Sequence, residues 1–225
     1  MNNISKRQGI ISCSLVLAIL IIDQIIKIWI KTNMCLDESI RVTDWFYIRF
    51  IENNGMAWGM TFFNKLVLSV FRIVAVGCIG WYIAKLIRKG TSSTLFVILL
   101  SMVLAGAAGN IFDSVFYGLI FDASTPFDVA QFVPFGQGYG EVLTGKVVDM
   151  FYFPLIVSTF PDWMPIVGGE DFVFFNAIFN FADASITCGV LAMLLFCRRE
   201  LGMIGEKKQN DGDADQSEYE KEVGE

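Results

Sequence analysis

No histidine occurs among the 225 residues. The commonest general base, nucleophile partner and zinc ligand is therefore missing. Acid–base chemistry near neutral pH falls to carboxylates, lysines or tyrosines. Cysteine is sparse and scattered, at positions 13, 35, 78, 188 and 197. No spacing suggests a metal site. Only Cys35 lies in a segment read below as facing outward, and a lone cysteine there makes no intrachain disulfide. Proline is confined to one stretch, at positions 126, 134, 154, 161 and 165, which leaves the rest of the chain free to form uninterrupted helices.

Charge is also scarce, and its distribution is informative. Four long runs carry few charges: Gly9 to Ile30, Leu66 to Ile87, Thr94 to about Phe112, and about Phe172 to Cys197. A helix crossing the hydrocarbon core needs about 20 mostly apolar residues, and each run is long enough. The composition agrees, with 54% hydrophobic residues against roughly 45–50% in soluble domains. These features predict an all-α membrane protein of four transmembrane helices, one domain over 1–205. The first run exceeds the ~7–15 apolar residues of a signal peptide core and lacks a small-residue cleavage site after it, so it reads as a retained helix. Residues 206–225 hold eight acidic and three basic side chains. With almost nothing apolar to bury, that tail is expected to be disordered and solvated.

Orientation follows from the basic residues of the short loops. Lys6 and Arg7, then Lys85, Arg88 and Lys89, then Arg198, Arg199, Lys207 and Lys208 share one side if four helices alternate. That side is expected to be cytoplasmic, with both termini on it. The outward segments are then about 33–65 and 114–172. In the first, the run from Ser39 to Ile51 is β-branched and aromatic, which argues for short strands, and Asn53-Asn54-Gly55 marks a turn. Trp45, Phe46, Tyr47 and Trp58 suit an aromatic belt at headgroup level. A small extracytoplasmic sheet, or cradle, is expected there. The second segment, rich in proline and glycine, reads as loop, short strand and short helix.

Charged groups at membrane depth are rare and usually functional. Asp23, Asp113, Asp149 and Asp183 stand out. Asp23 can pair with Lys27 one turn later and simply close a helix end. Asn110 and Asp113 share a helix face, where structural support outweighs direct catalysis as a reading. Gly106-Ala-Ala-Gly109 before them allows a second backbone to approach closely. Asp149 and Asp183 differ: neither has a basic residue one turn away, and each has an apolar flank. Desolvation raises a carboxyl pKa, and two carboxylates brought together share a proton. One can then activate water while the other donates. Only the tertiary structure can decide whether they meet.

The order of these elements resembles the lipoprotein signal peptidase (signal peptidase II) family. Asp23, Gln24 and Lys27 match its first motif. Asn53, Gly55, Ala57, Trp58 and Gly59 match its Asn-x-Gly-x-Ala element, and Gly106, Gly109, Asn110 and Asp113 match Gly-x-x-Gly-Asn-x-x-Asp. Val147-Val148-Asp149 and Phe179-Asn180-x-Ala182-Asp183, with Gly189 after it, complete the set. The resemblance implies an aspartic endopeptidase of the bacterial cytoplasmic membrane, and a monomer is expected. Its substrate would be a prolipoprotein cut just before a diacylglyceryl-modified cysteine. Its partners would be that precursor and membrane lipids, not nucleic acid, with no metal or organic cofactor. Asp149 and Asp183 would be catalytic. Asn53, Gly55, Asn110, Asp113 and Asn180 would line the groove or orient the pair, with Asp23 and Lys27 in support.

Two departures matter. The family arginine after the third-helix aspartate is replaced by Ser114. The short link to the first catalytic aspartate is also expanded by about 27 residues, over 119–145. The insertion is either a lid or lipid-facing flap, or a tolerated surface addition. It creates a competitor, since Gly118-Leu-Ile-Phe-Asp122 also resembles the catalytic element, but the valine pair favours Asp149. From another class, an ion- or proton-coupled transporter would use Asp23, Asp113 and Asp183 as a relay, and a non-catalytic assembly factor would use the aromatic segments for docking.

Overall fold

The computed structural model describes residues 3–53, 65–165 and 167–202; Gly55, Ala57, Trp58 and Gly59 of the second motif and the acidic tail lie outside them. Helices α1 (Asn3–Asn33), α2 (Lys65–Lys89), α3 (Thr94–Ile120) and α4 (Phe181–Phe196) form a bundle. The first three are long and apolar enough to cross a membrane. The 16 residues of α4 rise only about 24 Å, and a further helical turn follows over 198–202.

Two boundaries differ from the sequence expectation. α3 runs on to Ile120 rather than ending near Phe112, because nothing from Asp113 to Ile120 breaks a helix. Asp113 and Ser114 are therefore helical rather than at the start of an outer segment. α4 begins at Phe181 rather than near Phe172. Asn180 caps it: the Asn180 side chain accepts from the Asp183 amide, and the Asp183 carboxylate accepts from the Asn180 amide. The aromatic and β-branched residues before the cap form β5 (Asp171–Phe174) and β6 (Ile178–Phe179).

α1 is polar on the inside. Ser5, Gln8, Ser12, Asp23, Lys27 and Lys31 are buried, while Ile10, Leu17, Ile21, Ile25 and Trp29 are exposed. The buried set follows helical spacing. In lipid, polar groups gain by facing one another, and apolar ones lose nothing by facing outward. Ser12 and Ser101 share a 2.7 Å hydrogen bond between α1 and α3.

The strands gather where α1 ends, α2 begins, α3 ends and α4 begins. β1 (Ser39–Arg41), β2 (Tyr47–Asn53), β3 (Val147–Tyr152) and β6 form one antiparallel sheet in the order β1-β2-β3-β6. β4 (Ile156–Thr159) and β5 form a separate hairpin. In the β2–β3 ribbon, Ile51 opposes Asp149, Glu52 opposes Val148 and Asn53 opposes Val147. Successive strand side chains point to opposite faces. Phe50, Val148 and Met150 accordingly pack on Ile30, Met34, Tyr117 and Phe121 in a buried core. Asn53 and Asp149 lie on the other face.

The insertion folds back over the end of α3. The amides of Val133, Gly136, Tyr139, Gly140 and Gly145 donate to carbonyls of Ile120, Leu119, Phe121, Gly118 and Ser114. The Leu36 amide, just beyond α1, donates to Thr125.

α3 and α4 touch through backbone. A Cβ on Gly106 would sit 2.3 Å from the Ala182 carbonyl oxygen, and one on Gly109 would sit 2.8 Å from Asp23 Oδ2. Overpacking of this kind typically costs about 1–3 kcal/mol. Gly106→Val should therefore lower the melting temperature of the purified protein by several degrees. Gly77→Ala, at a position with nothing within 4 Å, should not lower it.

Candidate active site

Five elements, α1, β2, α3, β3 and α4 with its cap, contribute side chains to one polar cluster at the strand-bearing end of the bundle. Asp149 projects from β3 and is buried. Its Oδ1 accepts from Asn180 Nδ2 at 2.6 Å and its Oδ2 from Asn53 Nδ2 at 3.2 Å. Asp183 stands in the first turn of α4, and its Oδ1 accepts from Asn110 Nδ2 at 2.8 Å. Asn180 lies between the two acids. Its Nδ2 also donates to Asn110 Oδ1 at 3.1 Å, and its Oδ1 accepts from the Asp183 amide at 2.9 Å. Asn180 thus links the two acids, its side chain donating to the Asp149 carboxylate and its backbone amide to the Asp183 carboxylate.

The asparagine orientations follow from the partners. Lys27 can only donate, so the Asn110 atom 2.8 Å from its ammonium is oxygen. The Asn110 amide nitrogen then faces Asp183. Likewise the Asp183 amide requires the oxygen of Asn180, which turns the Asn180 nitrogen toward Asp149.

Lys27 uses its three N–H groups on Asp23 Oδ2 (3.0 Å), Asp113 Oδ2 (2.8 Å) and Asn110 Oδ1 (2.8 Å), and it is fully buried. Each acid reaches onward. Asp23 Oδ1 accepts from the Ala182 amide at 2.9 Å, and Asp113 Oδ2 accepts from the Val148 amide at 3.4 Å. Ala182 precedes Asp183, and Val148 precedes Asp149. The Asp23–Lys27 pair therefore exists as the spacing predicts, but it holds the start of α4 as well as closing a helix turn.

Burial pushes the Asp149 carboxyl up to about 7, with the negative Asp183 adding to the rise and the Asn53 and Asn180 amides opposing it. A buried carboxyl that stays protonated to near-neutral pH beside a second acid can divide donor and acceptor roles with it.

The family model described as "Signal peptidase (SPase) II" matches residues 15–198. The chain belongs to the signal peptidase II family. A protein of Porphyromonas gingivalis named lipoprotein signal peptidase is 46% identical over 213 residues, covering 94% of each chain. One of the same name from Amoebophilus asiaticus is 35% identical over 181 residues, covering 78% of this chain and 72% of its own. Among solved structures, a bacterial membrane enzyme obtained by the in meso method at 2.3 Å resolution superposes with a TM-score of 0.56. It is 23% identical, with 84% of this chain and 88% of that chain covered. At that identity it speaks for the fold.

Within the signal peptidase II pattern, the described motif residues Asp23, Lys27, Asn53, Asn110, Asp113, Asp149, Asn180 and Asp183 all fall in the cluster. Asp122 does not: it sits in the insertion, where its carboxylate accepts from the Gln131 amide. Ser114, in place of the family arginine, is buried, and its hydroxyl donates to the Asn110 carbonyl. The returning insertion crosses the same turn of α3 at Gly145, whose amide donates to the Ser114 carbonyl and where a Cβ would sit 2.2 Å from the Asp113 carbonyl oxygen. Three contributors stand outside the predicted set. Gln24 donates to Asp113 Oδ1 at 2.8 Å, and buried Tyr117 donates to Gln24 Oε1 at 3.0 Å. Half-buried Arg72 on α2 is electrostatically coupled to Asp183 first and Asp149 second. Gln24 belongs to the first family motif but has no site role assigned there, while Arg72 and Tyr117 carry only a weak signal as polar residues within apolar runs.

Two measurements follow. The raised Asp149 pKa favours the folded state at acid pH, where the proton is bound. That contribution is fully present below about 4 and lost as pH rises through about 7. Asp149→Asn should then melt a few degrees above wild type at pH 8, and the gap should close as pH falls toward 4. Removing a single partner from a buried ion cluster typically costs about 3–5 kcal/mol. Lys27→Met, which strands two carboxylates, should show a loss of that order in denaturant or thermal unfolding, larger than any helix-surface substitution.

Proposed function

We propose that this chain is a membrane aspartic endopeptidase that removes signal peptides from prolipoproteins, cutting before a diacylglyceryl-modified cysteine, with Asp149 and Asp183 as its catalytic pair. Two observations support the reading: membership of the signal peptidase II family over most of the chain, and the meeting of both aspartates on Asn180. The second carries the assignment of residues.

In this reading the chain is a monomer with four membrane-crossing helices. Both termini are cytoplasmic and the sheet lies at the outer face. The helical signal peptide enters between the helices while the acyl chains of the substrate remain in lipid. Burying those chains contributes ~0.8 kcal/mol per CH₂, so affinity comes mainly from groups remote from the cut bond. The ionised member of the pair takes a proton from water as the oxygen attacks the scissile carbonyl. The protonated member donates a hydrogen bond to the developing oxyanion, and a proton then passes to the leaving amine. The titration belongs to the pair. Asn53, Asn110 and Asn180 hold the two carboxyl groups in place, and Asp23, Lys27, Gln24 and Asp113 hold the elements that carry them.

A coupled transporter would distribute its acids through the membrane depth. Here they converge at one end of the bundle, and the relatives of known name are peptidases. Asp149→Asn and Asp183→Asn should each reduce cleavage of a lipid-modified precursor by purified protein by about a thousandfold or more, as loss of either half of an acid–base pair does, while membrane insertion is retained. Near-normal processing by either variant would remove the assignment.

A further inference from the structure

A second buried charged cluster lies beside the first and takes no part in the chemistry above. Glu52 is its centre, with its side chain only 2% exposed. Its Oε1 pairs with the fully buried ammonium of Lys31 and accepts from Ser124 Oγ at 2.8 Å. Its Oε2 accepts from Lys146 Nζ at 2.9 Å. Lys31 also donates to Ser124 Oγ at 2.8 Å, and its ammonium lies 5.0 Å from the centre of the Tyr139 ring. The Tyr139 hydroxyl accepts from the Lys146 amide at 2.7 Å. Burial alone would raise the Glu52 carboxyl, but Lys31, Lys146 and Ser124 outweigh it and hold it below its ordinary value. It therefore stays charged.

The strand register gives this cluster its consequence. Glu52 directly precedes Asn53, and Lys146 lies three residues before Asp149. Glu52 and Val148 share one face of the β2–β3 ribbon, while Asn53 and Asp149 share the other. A slip of one residue would carry Asn53 away from Asp149 and force Glu52 into the site. Ser124 and Tyr139 both come from the insertion, so the cluster joins α1, both strands and that segment.

We infer that Glu52 is a positioning residue: clamped by Lys31, Ser124 and Lys146 on one face of the ribbon, it sets the register that presents Asn53 to Asp149 on the other, and the insertion 119–145 is a fixed buttress completing that clamp. The inference rests on the peptidase reading. It predicts a part of the chain that acts on the chemistry without touching substrate.

The test uses the full chain purified in lipid nanodiscs and a fluorogenic peptide carrying a diacylglyceryl cysteine. Wild type is compared with Glu52→Gln, Ser124→Ala, Asn53→Ala and the Asn53→Ala/Glu52→Gln double variant. A small misplacement of a catalytic group can cost up to about 10²-fold. Glu52→Gln is expected to lower kcat about tenfold with KM little changed. The alkaline limb of its pH–kcat profile should move to higher pH, because losing the Asn53 hydrogen bond removes a group that favours ionised Asp149. Asn53→Ala should reproduce both effects, and the double variant should be no worse than Asn53→Ala alone. Ser124→Ala should shift both quantities the same way by less. A wild-type kcat and pH profile in Glu52→Gln overturns the inference, as do effects that multiply in the double variant. If Glu52→Gln shows no cooperative melting, Ser124→Ala decides, and an unchanged profile there overturns it. Failure of wild type itself to cleave the lipopeptide would instead overturn the peptidase reading.

Discussion

The ammonium of Lys27 is the constraint on which the site depends. It is sealed from solvent inside the bundle and its three N–H groups meet two carboxylates and one amide oxygen. A buried cation is tolerable only when charge and hydrogen bonds are both satisfied. The two acids that satisfy it each have a second oxygen or lone pair to spare, and each uses it on the backbone just before one of the paired aspartates. One ion cluster thus sets the position of both β3 and α4. Small residues make this possible: Gly106 and Gly109 bring α3 against the start of α4 closely enough for Asp23 to reach across.

The sheet adds a separation of roles by face. Pleating sends Glu52 and Val148 inward to the charged cluster and the apolar core, and sends Asn53 and Asp149 toward Asn180. The polar network on one side and the packed core on the other restrain the same two strands. The insertion, which could have been a mobile flap, instead contributes Ser124 and Tyr139 to the inward face and backbone pairings to the last turns of α3.

Much of this was legible beforehand. The apolar runs located the helices, because crossing a membrane demands length and the near-absence of charge. The strands around Tyr47–Ile51 followed from β-branched and aromatic composition. Asp149 and Asp183 were distinguished by their apolar flanks and lack of a local basic partner. The helix ends were less legible. α3 continued past Phe112 because no breaking residue stops it, and α4 started late because the Asn180–Asp183 capping box outweighs the hydrophobicity of Phe172–Phe175. Arg72 and Tyr117 were missed because the site groups they meet, Asp183 and Gln24, lie far away in the chain.

By itself the sequence determined a membrane protein with helices of known order and a small set of acids that lipid surroundings do not tolerate without purpose. Those conclusions rest on local quantities: hydropathy, periodicity, capping residues and motif spacing. The tertiary structure alone decided that residues 149 and 183 share an asparagine, that Lys27 reaches three partners, and that Glu52 stands behind Asn53. Most of these contacts join side chains far apart in the chain, 31 positions for Asn180 and Asp149, 83 for Lys27 and Asn110 and 94 for Lys146 and Glu52, and they depend on how closely helices approach and which face of a strand turns inward. No local pattern encodes those distances, because they emerge only when every buried polar group must find its partner at once.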